Sequence, residues 1–244
     1  MNDVRLSYIG RQNPERPLQW LQTGVGTNDK QRLVAQIMGV KERRDRERLE
    51  MRQAILDSAR EIAAKEGWQA VTIRRVAEKI EYSPPAIYEY FESKEALLEE
   101  EGREAFRIFM ADLIAARDAQ AGPRERLRAM GDAYWNFVWK HPELYQVISG
   151  LGGVNLCGPG HEHPHSEGKQ IFETFRDVLQ ANLPAAGRAT DDIEGKVMIM
   201  WSLFHGFFAL LMTGRIPMES RDRVRALATQ AVDSLLIAWR AGQV

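Results

Sequence analysis

The sequence predicts an all-α chain on three observations. Apolar residues recur at spacings of three and four along most of its length, and no segment alternates with a period of two. Ser, Thr and Asp stand where helices would begin, and Gly and Pro where they would end. Hydrophobic residues make up 44% of the 244 positions and charged residues 27%, a balance that supports a sizeable core.

Residues 1–40 read as an irregular N-terminal extension. Pro14, Pro17, Gly24 and Gly26 interrupt it, leaving room for a short helix near Asp29–Ile37. It is either chain upstream of a start at Met38 or an arm with a function of its own. From Asp45 to Glu66 an apolar stripe of Met51, Ile55, Ala59, Ile62 and Ala63 marks a helix, and Gly67 fits the left-handed residue that ends it. Trp68 and Val71 are expected to plug the base of a small core. Thr72 is a natural N-cap for a helix to Ile80, with Ile73, Val76, Ala77 and Ile80 facing inward. Glu81 and Tyr82 form a turn. Ser83 can cap the next helix, Pro84 to Phe91, with Pro84 at the first position, where its missing N–H costs nothing. Ser93 opens a long helix to Arg117.

Gly122-Pro123 starts a helix to Lys140, His141-Pro142 breaks it, and a short helix reaches Ser149. Five glycines and two prolines make Gly150–Ser166 a loop. Helices follow at Glu167–Gln180, Asp191–Thr213 and Glu219–Arg240. The last carries Val224, Leu227, Ala228, Ala231, Leu235, Ala238 and Trp239 as its stripe.

The net charge of −1 excludes a uniformly basic nucleic-acid binder, but the charge is segregated. Arg is dense in Lys41–Arg52, followed by Arg74, Arg75, Lys79 and Lys94, while acidic residues gather at Glu92–Glu104. The Arg-rich run is either a solvated helix start or an arm for a DNA backbone. The single cysteine, Cys157, excludes an internal disulfide framework and fits a cytoplasmic location. The first thirty residues hold no apolar signal segment. The apolar run Val197–Met212 falls short of the roughly 20 residues that span a bilayer, so no membrane is expected and this helix should be buried on several sides.

Thr72–Leu98 (TIRRVAEKIEYSPPAIYEYFESKEALL) is the most informative stretch. A helix-turn-helix needs a braced first helix, a tight turn and a second helix whose short side chains let its axis approach base edges. Pro84, Pro85 and Ala86 permit that approach at the positive end of the helix dipole. Tyr88 and Tyr90 carry hydroxyls on rigid rings that can reach phosphates. Lys94 stands at the next helix start, and Thr72 offers a hydroxyl and an N–H. Phe91 is assigned to the core.

Ser83–Glu95 (SPPAIYEYFESKE), with the preceding helix and Thr72 at matching spacing, resembles the recognition-helix signature of TetR-family transcriptional regulators. The likeness is close over Arg48–Leu98 and holds in outline beyond it. Trp201–Gly206 (WSLFHG) resembles the Trp-His-Gly signature of one C-terminal class in that family. The resemblance implies a homodimeric repressor. Its three-helix helix-turn-helix DNA-binding domain would occupy 41–98, and a helical ligand-binding and dimerisation domain 99–244. It implies a double-stranded, palindromic operator, a small-molecule inducer and no enzymatic activity. Thr72, Tyr88, Tyr90 and Lys94 would contact phosphates, while Arg74, Arg75, Pro84, Pro85, Ala86 and Glu89, beside Ser83, would face or approach bases. Two residues depart from the family pattern. Glu81 stands where glycine is common, which puts a side chain at positive φ at a cost of about 1 kcal/mol. Pro85 replaces the usual Gly or Thr and removes one backbone N–H.

In the C-terminal half, Tyr134–Tyr145 (YWNFVWKHPELY) holds five aromatics. Tyr134, Phe137, Val138 and Tyr145, with Phe172, Phe175, Trp201, Phe204 and His205, are candidates to line an apolar pocket; the alternative is a packed core. The last two long helices are expected to form a four-helix dimer interface, with Gly206 allowing close approach. Cys157, His161, His163 and His165 lie within nine residues and suit zinc or copper ions, giving a metal-responsive repressor as the alternative to a plain solvated loop. A metalloenzyme built on these residues would lack an open coordination position, and no nucleophile elbow, phosphate loop or His-Glu-x-x-His helix is present. No cofactor is required by the leading reading.

Overall fold

The computed structural model describes residues 27–151, 165–183 and 192–242. Among the described residues there are nine α-helices and no strand: α1 (Thr27–Glu66), α2 (Ile73–Lys79), α3 (Pro84–Tyr88), α4 (Lys94–Asp118), α5 (Pro123–Lys140), α6 (Pro142–Ser149), α7 (His165–Asn182), α8 (Ile193–Met212) and α9 (Arg221–Arg240). The chain divides into two compact units, residues 1–54 and 55–244, each described by itself.

In the first unit residues 27–40 are helical, covering the short helix allowed near residues 29–37 and extending it in both directions. Helix begins at Thr27, well before Asp45. No proline lies between Pro17 and Pro84, and residues 27–54 are rich in Gln, Lys, Arg, Glu, Leu and Met, all good helix formers. Arg43–Glu47 (3.6 Å) and Arg46–Glu50 (3.9 Å) add pairs at the favourable i,i+4 spacing. Residues 38–50 are exposed, so this part of the helix lacks the apolar stripe that marks its continuation from Met51.

The second unit opens with the end of α1, from Ile55. Ile55, Ala59, Trp68, Val71, Val76, Ala77, Ile87, Phe91 and Leu97 form the small core of its head, each no more than 2% exposed. Gly67 ends α1 at φ 82°, and a 3₁₀ turn, Trp68–Ala70, drops Trp68 inward. Thr72 caps α2 as expected, its Oγ1 accepting the Arg75 N–H at 3.2 Å. Ser93 caps α4 in the same way through Ala96 N–H at 3.1 Å. Three contacts lock α2 to α1: Lys79–Glu61 at 2.8 Å, Arg75–Glu66, and Ser58 Oγ donating to the Val76 carbonyl at 3.5 Å.

Two local expectations are corrected here. Ser83 occupies the N-cap position, yet its side chain makes no capping bond. Pro84 and Pro85 fill the first two helical positions without N–H groups, and the Ala86 N–H is taken by the Ser83 carbonyl at 3.0 Å. Helix α3 stops at Tyr88 rather than Phe91. The N–H groups of Tyr90 and Phe91 both converge on the Ile87 carbonyl, at 2.9 and 3.0 Å, closing a turn that swings Phe91 into the core.

Helix α4 leads from the head into the body. There α5–α9 pack around Phe208, whose ring meets Tyr134, Trp135, Trp139, Tyr145 and Phe204 with centroids 5.1–6.4 Å apart. Helix α8, capped by Asp192 through Gly195 N–H (2.8 Å), was expected to be buried on several sides. Only Val197, Met200, Phe204, Phe208 and Leu211 are buried; Met198, Ile199, Trp201 and Leu210 stand 37–50% exposed on other faces. By length and composition alone this helix could cross a membrane, but its inner stripe belongs to the core cluster. Among the described residues nothing lies within 4 Å of a Cβ placed on Gly206, which leaves that side of α8 open. The inner stripe of α9 is Val224, Ala228, Val232, Leu236 and Trp239, and Leu227 points outward at 44% exposure.

A buried ion pair joins α1 to α4. Arg60 Nε donates to Glu101 at 2.5 Å, with Glu101 fully buried. Glu101 Oε1 and Arg60 Nη2 find no hydrogen-bond partner among the described residues. Burial pushes the Glu101 carboxyl up to about 7, against the opposing pull of Arg60. Between the ordinary value of 4.5 and about 7 the folded protein therefore holds a proton that the unfolded chain releases. This contribution is present below the ordinary value and is lost as pH rises through the folded one, by at most about 3 kcal/mol. Urea unfolding at about pH 5 and about pH 8 should show this loss, and Glu101→Gln should flatten it. An unchanged pH profile in the variant would rule out Glu101 as its source.

Candidate nucleic-acid interface

Helix α3 shows the face expected of a groove-reading element. Ile87, 1% exposed, points into the core, while Ser83, Pro85, Tyr88 and Glu89 are exposed. Tyr88 is 53% exposed, so its ring lies outside the core. Pro84, Ala86 and Tyr90 are half-buried at the edges of that face, and Thr72 is exposed at the start of α2. Phe91 is in the core, as assigned. Tyr82, read from sequence only as a turn residue, is 50% exposed beside Ser83 and belongs to the same surface. Glu81 holds φ 61°, the sole non-glycine residue at positive φ among the described residues, and this lets the chain reverse between α2 and α3.

The cations divide by their partners. Arg74 projects outward, 81% exposed, bonded to Glu78 one turn on at 2.8 Å. Arg75 turns back instead: its guanidinium bonds Glu66 and the Ala70 carbonyl (3.2 Å), bracing α2 on α1. That pairing reaches across the Gly67 turn, which no helical spacing would reveal. Lys94 is half-buried and its Nζ donates to the Trp68 carbonyl at 3.3 Å.

In the body, the aromatic residues expected to line a pocket separate into three groups. Tyr134, Phe137, Val138 and Tyr145 are packed solid, none more than 4% exposed. Phe172 and His205 are half-buried, and Trp201 is half exposed. Of the nine, Phe175 and Phe204 line a cavity of about 250 Å³ between α5, α7, α8 and α9. Its apolar wall also includes Trp135, Met200 and Leu236, while its rim holds the ion pairs Arg128–Asp233 (2.5 Å) and Arg225–Asp132 (2.7 Å). The Tyr134 and Tyr145 rings are packed in the core, and this cavity lies beside them toward α9.

Those rings form a polar chain in an apolar setting. Tyr145 Oη lies 3.0 Å from His205 Nδ1 and 3.4 Å from Tyr134 Oη. Burial pushes the Tyr134 hydroxyl up to about 12, against bonds from Tyr145 and Trp201, and raises Tyr145 further. Burial also lowers His205, which keeps the imidazole neutral near pH 7 with one ring nitrogen free to accept.

Of the metal candidates, Cys157, His161 and His163 lie outside the described residues. His165 opens α7, and its side chain is likewise outside them. Among the described residues no three His, Cys, Asp or Glu side chains converge to hold a metal ion.

A braced α2, a tight turn and an α3 with an outward polar face define a helix-turn-helix module carried on a helical body. Residues 55–100 match the family model "Bacterial regulatory proteins, tetR family", and residues 127–235 match "Tetracyclin repressor-like, C-terminal domain". The HTH-type transcriptional repressor KstR of Mycolicibacterium smegmatis is 38% identical over 193 residues, 78% of this chain and 76% of the relative. A TetR-family regulatory protein from Rhodococcus RHA1 superposes with TM-score 0.58 at 22% identity, covering 77% of this chain and 96% of that one. The TetR-family regulator SCO4454 from Streptomyces coelicolor gives TM-score 0.61 at 18% identity, over 78% of this chain and 89% of its own. The chain belongs to the TetR family: it is a DNA-binding, ligand-responsive transcriptional regulator and not an enzyme.

Replacing Glu81 by Gly should relieve the left-handed backbone strain and stabilise the protein by about 1 kcal/mol in urea unfolding. A destabilised Glu81→Gly variant would show that the side chain, and not the backbone, fixes this turn.

Proposed function

We propose that the chain is a homodimeric repressor that binds a palindromic double-stranded operator through α3 and is released by a small, apolar molecule. The DNA-binding head lies within residues 41–98 and the sensing and dimerising body within 99–244. The observation that carries this reading is the two-sided character of α3, where Ile87 is buried and Pro85, Tyr88 and Glu89 are exposed.

Thr72, Tyr88, Tyr90 and Lys94 supply phosphate contacts, and Arg74, Ser83, Pro84, Pro85, Ala86 and Glu89 face or flank the bases. Arg75 acts mainly by bracing α2, since Glu66 and the Ala70 carbonyl occupy its guanidinium. Pairing of two chains is supported by the exposed apolar residues of α8 and α9: Met198, Ile199, Trp201, Leu210, Leu227 and Ile237. A dimer also suits DNA geometry, because two recognition helices must meet major grooves about 34 Å apart. The inducer site is the cavity lined by Phe175, Phe204, Trp135 and Met200. The reading requires no cofactor and places the protein in the cytoplasm with its DNA.

Selection of duplexes from a random pool should yield a palindrome whose affinity falls steeply with salt. Tyr88→Phe should weaken binding to the selected and to random duplexes alike, by about three- to tenfold. No preference for any palindrome, or a salt-independent affinity, would refute the reading.

A further inference from the structure

Helix α6 is two turns long, bounded by Pro142 at its first position and by Gly150, at φ 71°, after its end. It carries two contacts in opposite directions, two residues apart. The Glu143 carbonyl, in its first turn, accepts the indole N–H of Trp68 from the head at 2.8 Å. Tyr145, on the same helix, reaches into the body to His205 Nδ1 at 3.0 Å and lies 3.4 Å from Tyr134 Oη. Trp68 is 1% exposed, and its own carbonyl accepts Lys94 Nζ at 3.3 Å. The side chain of Trp68 thus touches the body while its backbone touches a residue of the proposed DNA surface.

We infer that Trp68 is a positioning residue that couples the DNA-reading head to the sensory core through α6. This rests on the operator-binding reading above. A molecule that competes for the Tyr145–His205 bond shifts α6, because a helix stopped at both ends by Pro142 and Gly150 cannot pass the displacement into a longer element. The Glu143 carbonyl then leaves the Trp68 indole, and the carbonyl that holds Lys94 loses its support. The equilibrium between binding-competent and incompetent head positions is biased at its base, with no ligand contact to the head itself.

Two conservative variants test this without knowledge of the inducer. Trp68→Phe removes the indole N–H and keeps an aromatic ring; Tyr145→Phe removes only a hydroxyl. Each should weaken binding to the selected palindrome by about three- to tenfold, the equivalent of one net hydrogen bond. The double variant should bind no more weakly than Trp68→Phe alone, since both changes break one path. Losses that multiply, or native affinity in Trp68→Phe, would overturn the coupling. A second readout needs no DNA. The indole ¹⁵N–¹H resonance of Trp68, assigned by its disappearance in Trp68→Phe, should move in Tyr145→Phe and stay in place in Gln230→Ala, an exposed change on α9. An unmoved resonance in Tyr145→Phe overturns the coupling even if the protein binds its operator. A resonance that moves in a protein preferring no duplex would instead sink the operator reading and leave the tie between head and core standing.

Discussion

A helix of five residues cannot hold itself together in water, since nucleation alone outweighs what one turn of hydrogen bonds returns. Helix α3 exists because Ile87 and Phe91 are drawn into the core of the head, and because Pro84 and Pro85 arrive with helical φ already set. Everything the protein presents to a groove depends on that anchoring. Burying Ile87 forces Tyr88 and Glu89 outward, and the turn at Tyr90 that delivers Phe91 also sets up the Ser93 cap of α4.

From that anchoring the constraint spreads in two directions. Backward, α2 is fixed to α1 by Arg75–Glu66 and Lys79–Glu61, so an arginine among the DNA candidates also holds the scaffold. Forward, α4 continues from the head into the body, with the buried Arg60–Glu101 pair at its root. A buried pair with one unsatisfied atom on each side is a poor source of stability, but it demands one geometry between α1 and α4. The Trp68–Glu143 bond adds a second fixed point at the same level.

Much of this was legible in the sequence wherever the cause is local. Thr72 and Ser93 could be read as caps because a cap needs only its own turn. The strain at Glu81 was legible only through the family pattern, which commonly has glycine at that turn position. Ser83 misled because the two prolines that mark α3 also delete an N–H that its side chain would cap. The run of α1 through residues 38–50 was hard to read because that exposed stretch has no stripe. In the body, aromatic content was plain, but which rings fill space and which enclose it depends on how α5, α8 and α9 meet. Tyr134 and Tyr145 are packed in the core, while Met200 and Leu236, ordinary in sequence, line a cavity. Trp201 looked like a pocket residue and lies on an exposed face.

The central claim is that the outward face of α3, with the start of α2, is the surface that meets DNA. Amide hydrogen exchange, compared with and without a palindromic duplex selected by the protein, tests it most directly. Slowed exchange confined to the starts of α2 and α4 and to the span from Tyr82 through Tyr90 is the predicted result. Protection on other surfaces with these segments unchanged would contradict the account.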